Sequence, residues 1–323
     1  MTKKENALRV MAFDDTAFPG GLPRYTLCYR GACHEGYEGG GHDCPLGTRW
    51  FDIWGTGWQK EHKDVMGFPR VNPLAEIKAL KNYVWPDPND ERICADIYKL
   101  RKEFIGGDAF LEGANSDTLW ERTYMLVGME NMMCYCYEEP EYAKEILHRI
   151  MDFQLGIAKH YLKLGVEMAA FSDDLGSQHG LLIGKDTLYE FLVPEYKRLF
   201  ELYKKHNVLI NFHSCGHVEP ILDMFIELGV NILNPVQATA NNLVKVKEKA
   251  DFKMSLLGGV SSDIVMKGPV SAIDAAVKNA IRVLGKNGGY FCWPDQDMPT
   301  PQEHWDAFYA AREKYAKYPF KDE

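Results

Sequence analysis

A histidine and a cysteine stand two residues apart at the end of an apolar run. Residues 208–212 read Val-Leu-Ile-Asn-Phe, and His213, Ser214 and Cys215 follow directly. Because alternate residues of a strand point to the same side, we expect the imidazole of His213 and the thiol of Cys215 to face one point. Zinc accepts nitrogen and sulfur ligands together in a tetrahedral shell. The spacing therefore predicts half of a zinc site, with two packed core side chains as the alternative.

Cys292 is the predicted third zinc ligand. It ends another strand-like run, residues 288–292, further along the chain. If the strands close into a barrel, their carboxyl ends share one rim, and Cys292 can converge on His213 and Cys215. Three protein ligands leave one position that is open or taken by a carboxylate.

Two adjacent carboxylates follow a third strand-like run, residues 166–172. Asp173 and Asp174 could bind a metal, act as acid or base, or cap backbone amides of the following turn. Adjacent strand residues face opposite ways, so at most one of the two aspartates points into the site. We expect this to be Asp174, as a metal ligand or as a catalytic acid or base. Gln178 and His179 lie in the same loop and are predicted to hydrogen-bond a substrate.

Other residues with reactive side chains give weaker patterns. Residues 20–60 contain Cys28, Cys33, His34, His42 and Cys44, in a spacing that matches no common zinc module. We therefore favour the absence of a second metal site there, and the role of Cys28, Cys33 and Cys44 stays open. Arg24 is a candidate for binding a substrate carboxylate. The remaining side chains Cys94, Cys134, Cys136, Trp54 and Trp58 are predicted to be core.

These residues need a scaffold that brings strand ends together. From residue 166 onward the sequence alternates strand-like and helix-like segments five times, which indicates parallel strands with crossover helices. An open doubly wound sheet and a closed barrel share this pattern. We favour an α/β fold of the distorted (β/α)8 barrel type, because every strand end carries polar residues or glycine. No dinucleotide-binding Gly-x-Gly-x-x-Gly follows a strand, and no phosphate-binding P-loop motif occurs.

Expected boundaries follow from the same patterns. Residues 1–60 are predicted to be an N-terminal extension with barrel-mouth loops, and residues 61–323 the barrel domain. A long helix is predicted over residues 140–164, where apolar residues recur at helical spacing. Ser271 is predicted to cap a later helix, and Pro194 to kink or break one.

Composition excludes several classes of function. The chain has 323 residues, 46% of them hydrophobic, and a formal net charge of −9. It is therefore not disordered. It also lacks the excess of basic residues that binds nucleic acid or an anionic membrane. No apolar run is long enough to span a membrane, and the N-terminus lacks a secretory signal. We therefore expect a cytoplasmic protein whose eight cysteines stay reduced.

The combined motifs resemble the uroporphyrinogen decarboxylase superfamily. The resemblance is best over residues 165–310, through Ser-Asp-Asp-Leu-Gly-Ser-Gln ending at Gln178, Phe-His-Ser-Cys-Gly ending at Gly216, and Asn-Pro-Val-Gln ending at Gln237. A looser match includes Leu-Trp-Glu-Arg ending at Arg122. The resemblance implies a distorted (β/α)8 barrel, and either decarboxylation without a cofactor or corrinoid-dependent methyl transfer.

The methyltransferase branch fits better. The arginine-rich N-terminal signature of the decarboxylases is missing, and residues 20–25 read Gly-Gly-Leu-Pro-Arg-Tyr instead. The resemblance implies Zn²⁺ held by His213, Cys215 and Cys292, with Gln237 contacting the substrate and His213 and Asp174 taking part in catalysis. It also implies a small methylated substrate, favoured here as a methyl ether, and a corrinoid (cobalamin) cofactor carried by a partner protein. The alternatives are a decarboxylating lyase, a thiol-acceptor methyltransferase using the same zinc site, and a non-catalytic barrel.

Overall fold

The structure, a computed structural model, describes residues 1–63 and 65–317. Its ten strands are β1 (Arg24–Leu27), β2 (Arg49–Phe51), β3 (Gly57–Gln59), β4 (Phe68–Val71), β5 (Phe110–Asn115), β6 (Met168–Ser172), β7 (Leu209–His213), β8 (Ile232–Val236), β9 (Ser255–Val260) and β10 (Tyr290–Pro294). Its α-helices are α1 (Lys3–Met11), α2 (Glu91–Glu103), α3 (Trp120–Val127), α4 (Met129–Glu138), α5 (Pro140–Lys163), α6 (Lys185–Thr187), α7 (Val193–Lys205), α8 (Leu222–Leu228), α9 (Leu243–Ala250), α10 (Ser262–Lys267), α11 (Val270–Leu284) and α12 (Gln302–Tyr315). Short 3₁₀ helices cover Ile77–Asn82 and Glu219–Ile221, and a π-helix covers Leu188–Leu192. None of these helices is both long and apolar enough to cross a membrane.

The main sheet is curled and parallel. Its strands lie in the order β1-β5-β6-β7-β8-β9-β10, and helices surround it. The predicted α/β barrel is therefore confirmed, with seven strands in this sheet over the described part of the chain. Parallel pairing directs all carboxyl ends of the strands to one rim, as the sequence argument requires.

The segment that precedes β1 contacts both β10 and β5. The backbone N–H of Cys292 in β10 donates to the carbonyl of Pro19 at 3.2 Å, and that of Phe110 in β5 donates to Pro23 at 3.0 Å. Residues 19–23 therefore continue β1 toward its amino end and contact β10, so that they close part of the seam between the sheet edges.

The amino-terminal end of the barrel is filled by apolar side chains. A separate hydrophobic cluster joins α1 and its following turn to the first residues of several strands: Ala7, Val10, Ala17, Phe110, Met168, Ile232 and Phe291. α1 is held at its start by a reciprocal capping box between Thr2 and Glu5. The helix thus covers this end, which leaves the carboxyl ends for ligands.

Local sequence rules account for several boundaries. α8 ends at Gly229, whose φ of 77° lies in the left-handed region that glycine adopts readily. The predicted disturbance at Pro194 takes the form of the π-helix that precedes α7. The cap predicted at Ser271 is wrong, because α11 already begins at Val270 after Pro269. Proline suits a helix start, since it has no N–H to leave unpaired.

A small antiparallel sheet, in the order β2-β3-β4, lies outside the barrel sheet. A buried set of charged groups joins this segment to α3. Arg122 donates to Asp52 at 2.8 Å and to Asp117 at 2.9 Å, and His34 Nε2 lies 2.7 Å from Asp117. We call these four residues the Arg122 network. The domain boundary at residue 60 stays a prediction. Both α1 and β1 precede residue 60, although they belong to the barrel.

Candidate metal centre

Three side chains with metal-binding atoms converge at the carboxyl ends of β6 and β7. Ligand atoms of Asp174, His213 and Cys215 all lie within 4.8 Å of one another. Cys215 Sγ is 3.3 Å from His213 Nε2, and Asp174 Oδ1 is 3.7 Å from the same nitrogen. The parallel register that pairs Ser172 with His213 brings the two strand ends side by side. We call these three residues the metal-centre group.

The ring of His213 is oriented from β8. Its Nδ1 lies 3.1 Å from Asn234 Oδ1, so it donates there and Nε2 keeps its lone pair for the group. The Asn234 amide is itself fixed, since its Nδ2 donates to the carbonyl of Phe212 and to Asn211. Burial lowers the pKa of His213, with the charge of Asp174 opposing it. A neutral imidazole with one fixed N–H is the form that binds metals.

Polar contacts continue down the barrel interior from Asn211. Asn211 Nδ2 donates to Glu112 Oε2 at 3.2 Å, and Thr26 donates to Glu112 Oε1 at 2.9 Å. Arg24, predicted to bind substrate, lies 3.8 Å from the buried Glu112 carboxylate. Its positive charge also contributes to the lowered pKa of His213. The structure therefore places Arg24 at the start of β1, with a partly exposed side chain near the buried Glu112 carboxylate.

Cys215 is held by groups on both sides. Its backbone N–H donates to Asp174 Oδ1 at 2.8 Å, and Nε2 of Gln296, just beyond β10, donates to its sulfur at 2.7 Å. Burial, together with the nearby Asp174 carboxylate, raises the pKa of the Cys215 thiol. A cation beside the sulfur would reverse that penalty, because metal ligation favours the thiolate.

The loop that carries Cys215 packs backbone against backbone on the loop after β6. A Cβ at Gly216 would lie 2.3 Å from backbone atoms of Gly176, and Gly216 has a φ of +83°. Gln237 Oε1 accepts from the N–H of Gly216 at 2.7 Å and from Gln178 Nε2 at 3.0 Å. Gln178 and Gln237, both predicted to contact substrate, therefore lie beside the metal-centre loop. His179 lies apart in an exposed turn.

The two adjacent aspartates separate as expected for neighbouring strand residues. Asp173 is fully buried and accepts the backbone N–H groups of Leu119 and Glu121 at the start of α3, and the hydroxyl of Tyr196. Burial raises the pKa of Asp173 to about 7. Asp173 thus has the structural role considered above, a carboxylate that caps backbone amides, whereas Asp174 faces His213.

The structure does not bring Cys292 to the metal-centre group. Cys292 is fully buried in the main hydrophobic core, whereas the preceding Phe291 belongs to the cluster that fills the barrel floor. Successive residues of β10 thus face opposite sides of the sheet, and Cys292 faces the helices. The prediction also placed Cys292 at the strand end, whereas β10 continues to Pro294 and Cys292 lies within it.

The other cysteines and histidines lie outside the metal-centre group. Among the described residues, the metal-centre group is the one cluster of three or more candidate ligands. His34 contacts Asp117, and Cys44 donates to the carbonyl of Gly41 at 3.2 Å. Cys94 and Cys136 are buried as predicted, but the core assignment of Cys134 is wrong, since it is exposed on α4.

Sequence reasoning missed three residues around the site. Asn234 and Gln296 contact the metal-centre group, and Glu121 in α3 accepts a hydrogen bond from Ser172 at 3.2 Å. Asn234 and Glu121 both lie within motifs that carry the family resemblance. If the predicted strand had extended to Pro294, Gln296 would have followed its end and would have been a candidate for the site.

Nitrogen, sulfur and oxygen donors at the carboxyl ends of a curled parallel sheet define an α/β-barrel protein with a candidate metal centre. The chain belongs to the uroporphyrinogen decarboxylase (URO-D) family, whose model matches residues 60–315. The resemblance found in the sequence is thereby confirmed at the level of the family.

The structure of one known protein supports the fold. A methyltransferase from Methanosarcina mazei superposes with a TM-score of 0.69 at 18% identity, covering 98% of this chain and 99% of that one. A B12-independent methionine synthase from Shewanella sp. W3-18-1 gives a TM-score of 0.41 at 13% identity, covering 67% of this chain and 63% of that one. No curated protein matches the sequence significantly.

Proposed function

We propose that this protein is a zinc-dependent methyltransferase that moves a methyl group from a small methyl ether to the cobalt of a corrinoid protein. The observation that carries the proposal is the convergence of Asp174, His213 and Cys215 at the active rim of the barrel. The methyltransferase whose structure covers nearly the whole chain supports the same class of reaction.

The metal-centre group fits zinc in both donor type and spacing. In a tetrahedral shell with zinc–ligand distances of about 2.0–2.3 Å, neighbouring nitrogen, oxygen and sulfur donors lie about 3.3–3.6 Å apart. The corresponding separations are 3.3 Å between Cys215 and His213 and 3.7 Å between His213 and Asp174, and the ligand atoms of Asp174 and Cys215 lie within 4.8 Å of each other. Zinc held by these three residues would polarise the ether oxygen as a Lewis acid.

Each residue of the group has a defined task. His213 presents Nε2 because Asn234 holds its other nitrogen, and such an outer partner typically strengthens metal binding. Gln296 donates to the Cys215 sulfur and moderates its negative charge. Asp174 holds the Cys215 backbone and supplies the third donor. Cys292 is left out of the proposed ligand set, since it lies in the core.

Substrate and partner belong to the same proposal. Gln178, Gln237 and Arg24 are proposed to contact the methylated substrate, the first two from beside the metal-centre loop and Arg24 from the start of β1. His179 is proposed to contact it from its exposed turn. The corrinoid is proposed to arrive on a separate carrier protein in the cytoplasm.

Metal analysis and a methyl-transfer assay test the proposal together. The purified protein should contain about one zinc ion per chain. Mixed with a Co(I) corrinoid protein and a methyl ether, it should produce the methyl-Co(III) spectrum. Cys215→Ala should lose both zinc and activity, whereas Cys134→Ala, a control at an exposed position, should keep both. Full activity in metal-free protein would contradict the zinc proposal, and CO₂ release from a porphyrinogen without methyl transfer would favour the lyase.

A further inference from the structure

A chain of side-chain hydrogen bonds runs from His213 through the barrel interior. Nδ1 of His213 lies 3.1 Å from Asn234 Oδ1, and Asn234 Nδ2 donates in turn to Asn211 Oδ1. Asn211 Nδ2 then donates to Glu112 Oε2 at 3.2 Å. The two asparagines and Glu112 are each at most 8% exposed. We call these four residues the interior chain, and each of its hydrogen bonds is directed toward Glu112.

The far end of the interior chain is a group that only accepts hydrogen bonds. The hydroxyl of Thr26 donates to Glu112 Oε1 at 2.9 Å, and Arg24 lies 3.8 Å from the same oxygen. Both carboxyl oxygens of Glu112 are therefore met by donors, and a positive charge lies beside them, as expected for an ionised carboxylate. These contacts involve no residue of the metal-centre group.

The direction of the interior chain decides which nitrogen of His213 carries the proton. A side-chain amide has nearly the same shape when its nitrogen and oxygen change places, so two linked asparagines can transmit hydrogen bonds either way. An ionised carboxylate can only accept, so Asn211 donates to Glu112 and keeps its own oxygen for Asn234. Asn234 in turn keeps its oxygen for Nδ1 of His213. The proton then stays on Nδ1, and the lone pair of Nε2 is free for a metal.

The carbonyl of Phe212 orients Asn234 in the same sense, because it accepts from the same nitrogen at 3.3 Å. This contact is longer than the usual N–H···O hydrogen bond, whereas the interior chain ends on a charged acceptor. Hydrogen bonds to ionised groups are about twice as strong as those between neutral groups, and linked hydrogen bonds polarise one another. We therefore expect the carboxylate of Glu112 to dominate the orientation of the two amides.

We propose that Glu112 is a positioning residue for the metal centre, which holds His213 in the tautomer that can bind zinc by fixing the direction of the interior chain. The inference rests on the proposed function, in which His213 is a zinc ligand. Metal-bound histidines commonly donate their second N–H to a carboxylate or a carbonyl, and loss of this partner typically costs 10–100-fold in metal affinity. Here two amides lie between the imidazole and the carboxylate, so Glu112 acts on His213 through them.

Glu112→Gln tests the role of the carboxylate, because glutamine has a similar size but can also donate. A hydrogen bond donated to Asn211 lets the interior chain reverse, which moves the proton of His213 to Nε2. We expect nitrogen-15 NMR of the metal-free protein to show a shift from the Nδ1–H to the Nε2–H tautomer, and chelator competition to show a 10–100-fold loss of zinc affinity. Thr26→Val is the matched control, since it removes a donor from the other oxygen of Glu112 and should change neither.

A rescue by a second substitution distinguishes this role from a general loss of structure. Adding Asn211→Asp to Glu112→Gln moves the acceptor-only group one step closer to His213. Asn234 then has an ionised acceptor again, so we expect the Nδ1–H tautomer and most of the lost zinc affinity to return. A merely structural role for Glu112 predicts no such rescue, since a second substitution in a buried polar network normally adds to the damage.

Three outcomes would overturn the inference. The first is an unchanged tautomer in Glu112→Gln, and the second is a loss of zinc affinity that Asn211→Asp does not reverse. The third is a metal-free wild-type protein whose His213 carries its proton on Nε2, a measurement that needs no variant and therefore decides even if Glu112→Gln does not fold.

The proposed function fails by a different result. A wild-type protein that binds zinc and has the Nδ1–H tautomer, but moves no methyl group from any ether, would contradict the methyltransferase and support the role of Glu112 at the metal centre.

Discussion

The metal-centre group and the Arg122 network are both polar clusters, but they differ in burial and in the arrangement of their charges: the former is half-buried, whereas Arg122 and Asp52 are fully buried. In the network, Asp52 and Asp117 each lie within 3 Å of Arg122, and His34 completes the contact with Asp117. In the metal-centre group, three potential ligands face one another and no described cation balances them. Buried charges that compensate one another hold structure, whereas converging uncompensated donors mark a place for a ligand.

Removing a charge from the Arg122 network should produce the largest loss of stability. Asp52 accepts four hydrogen bonds, including those from Trp58 and Arg122, and is fully buried. Asp52→Asn leaves the buried guanidinium short of one negative charge, so we expect the free energy of unfolding to fall by about 3–5 kcal/mol. Urea denaturation measures this change.

A matched control exists on the surface. Glu145 pairs with Arg149 on α5 at 2.8 Å with both side chains about half exposed, so Glu145→Gln should cost less than about 0.5 kcal/mol. Similar losses in the two variants would contradict the assignment of the network as a stabilising element.

Gly216→Ala should damage the metal centre through its backbone. A Cβ there meets the backbone of Gly176, and the φ of +83° is unfavourable for alanine. We expect a loss of about 1–3 kcal/mol in stability together with reduced zinc content. Gly180→Ala, in the neighbouring loop after β6 and with open space around it, should change neither. Normal zinc content in Gly216→Ala would show that the close packing of the two loops does not position Cys215.

Asn234→Ala should weaken metal binding without unfolding the protein. It removes the acceptor that orients His213, and loss of such an outer partner typically costs 10–100-fold in metal affinity, or about 1.4–2.7 kcal/mol. Competition with a chromogenic chelator measures the affinity. Asn131→Ala, exposed on α4, serves as the control. Unchanged affinity would mean that His213 needs no support from β8.

Cys292→Ala should have the smallest effect. The side chain packs in the core and stands apart from the metal-centre group, so we expect roughly 1 kcal/mol of lost stability and full zinc content. Thermal denaturation and metal analysis decide the question. Loss of zinc in this variant, with zinc retained in Cys134→Ala, would restore Cys292 as a ligand.

Much of the site was predictable because parallel strands obey simple geometry. The spacing of His213 and Cys215 and the opposite facing of Asp173 and Asp174 follow from alternation along one strand. The position of Cys292 did not, because the side of β10 that packs against the helices is set by tertiary contacts, and β10 ends at Pro294 rather than at Cys292. Strand ends are set by contacts across the sheet, such as the bond from Cys292 to Pro19, which a single segment does not encode.

The sequence by itself determined the alternating α/β pattern, the family and the pair of His213 and Cys215, because these depend on local periodicity and spacing. The tertiary structure decided which carboxylates are compensated. Arg122 and Asp52 are 70 residues apart in the chain, and Glu121 and Ser172 are 51 apart, yet each pair is in contact. Whether a buried charge has a partner depends on which residues the fold brings together. In this respect the stabilising Arg122 network, whose charges are paired, differs from Glu121 and the metal-centre group.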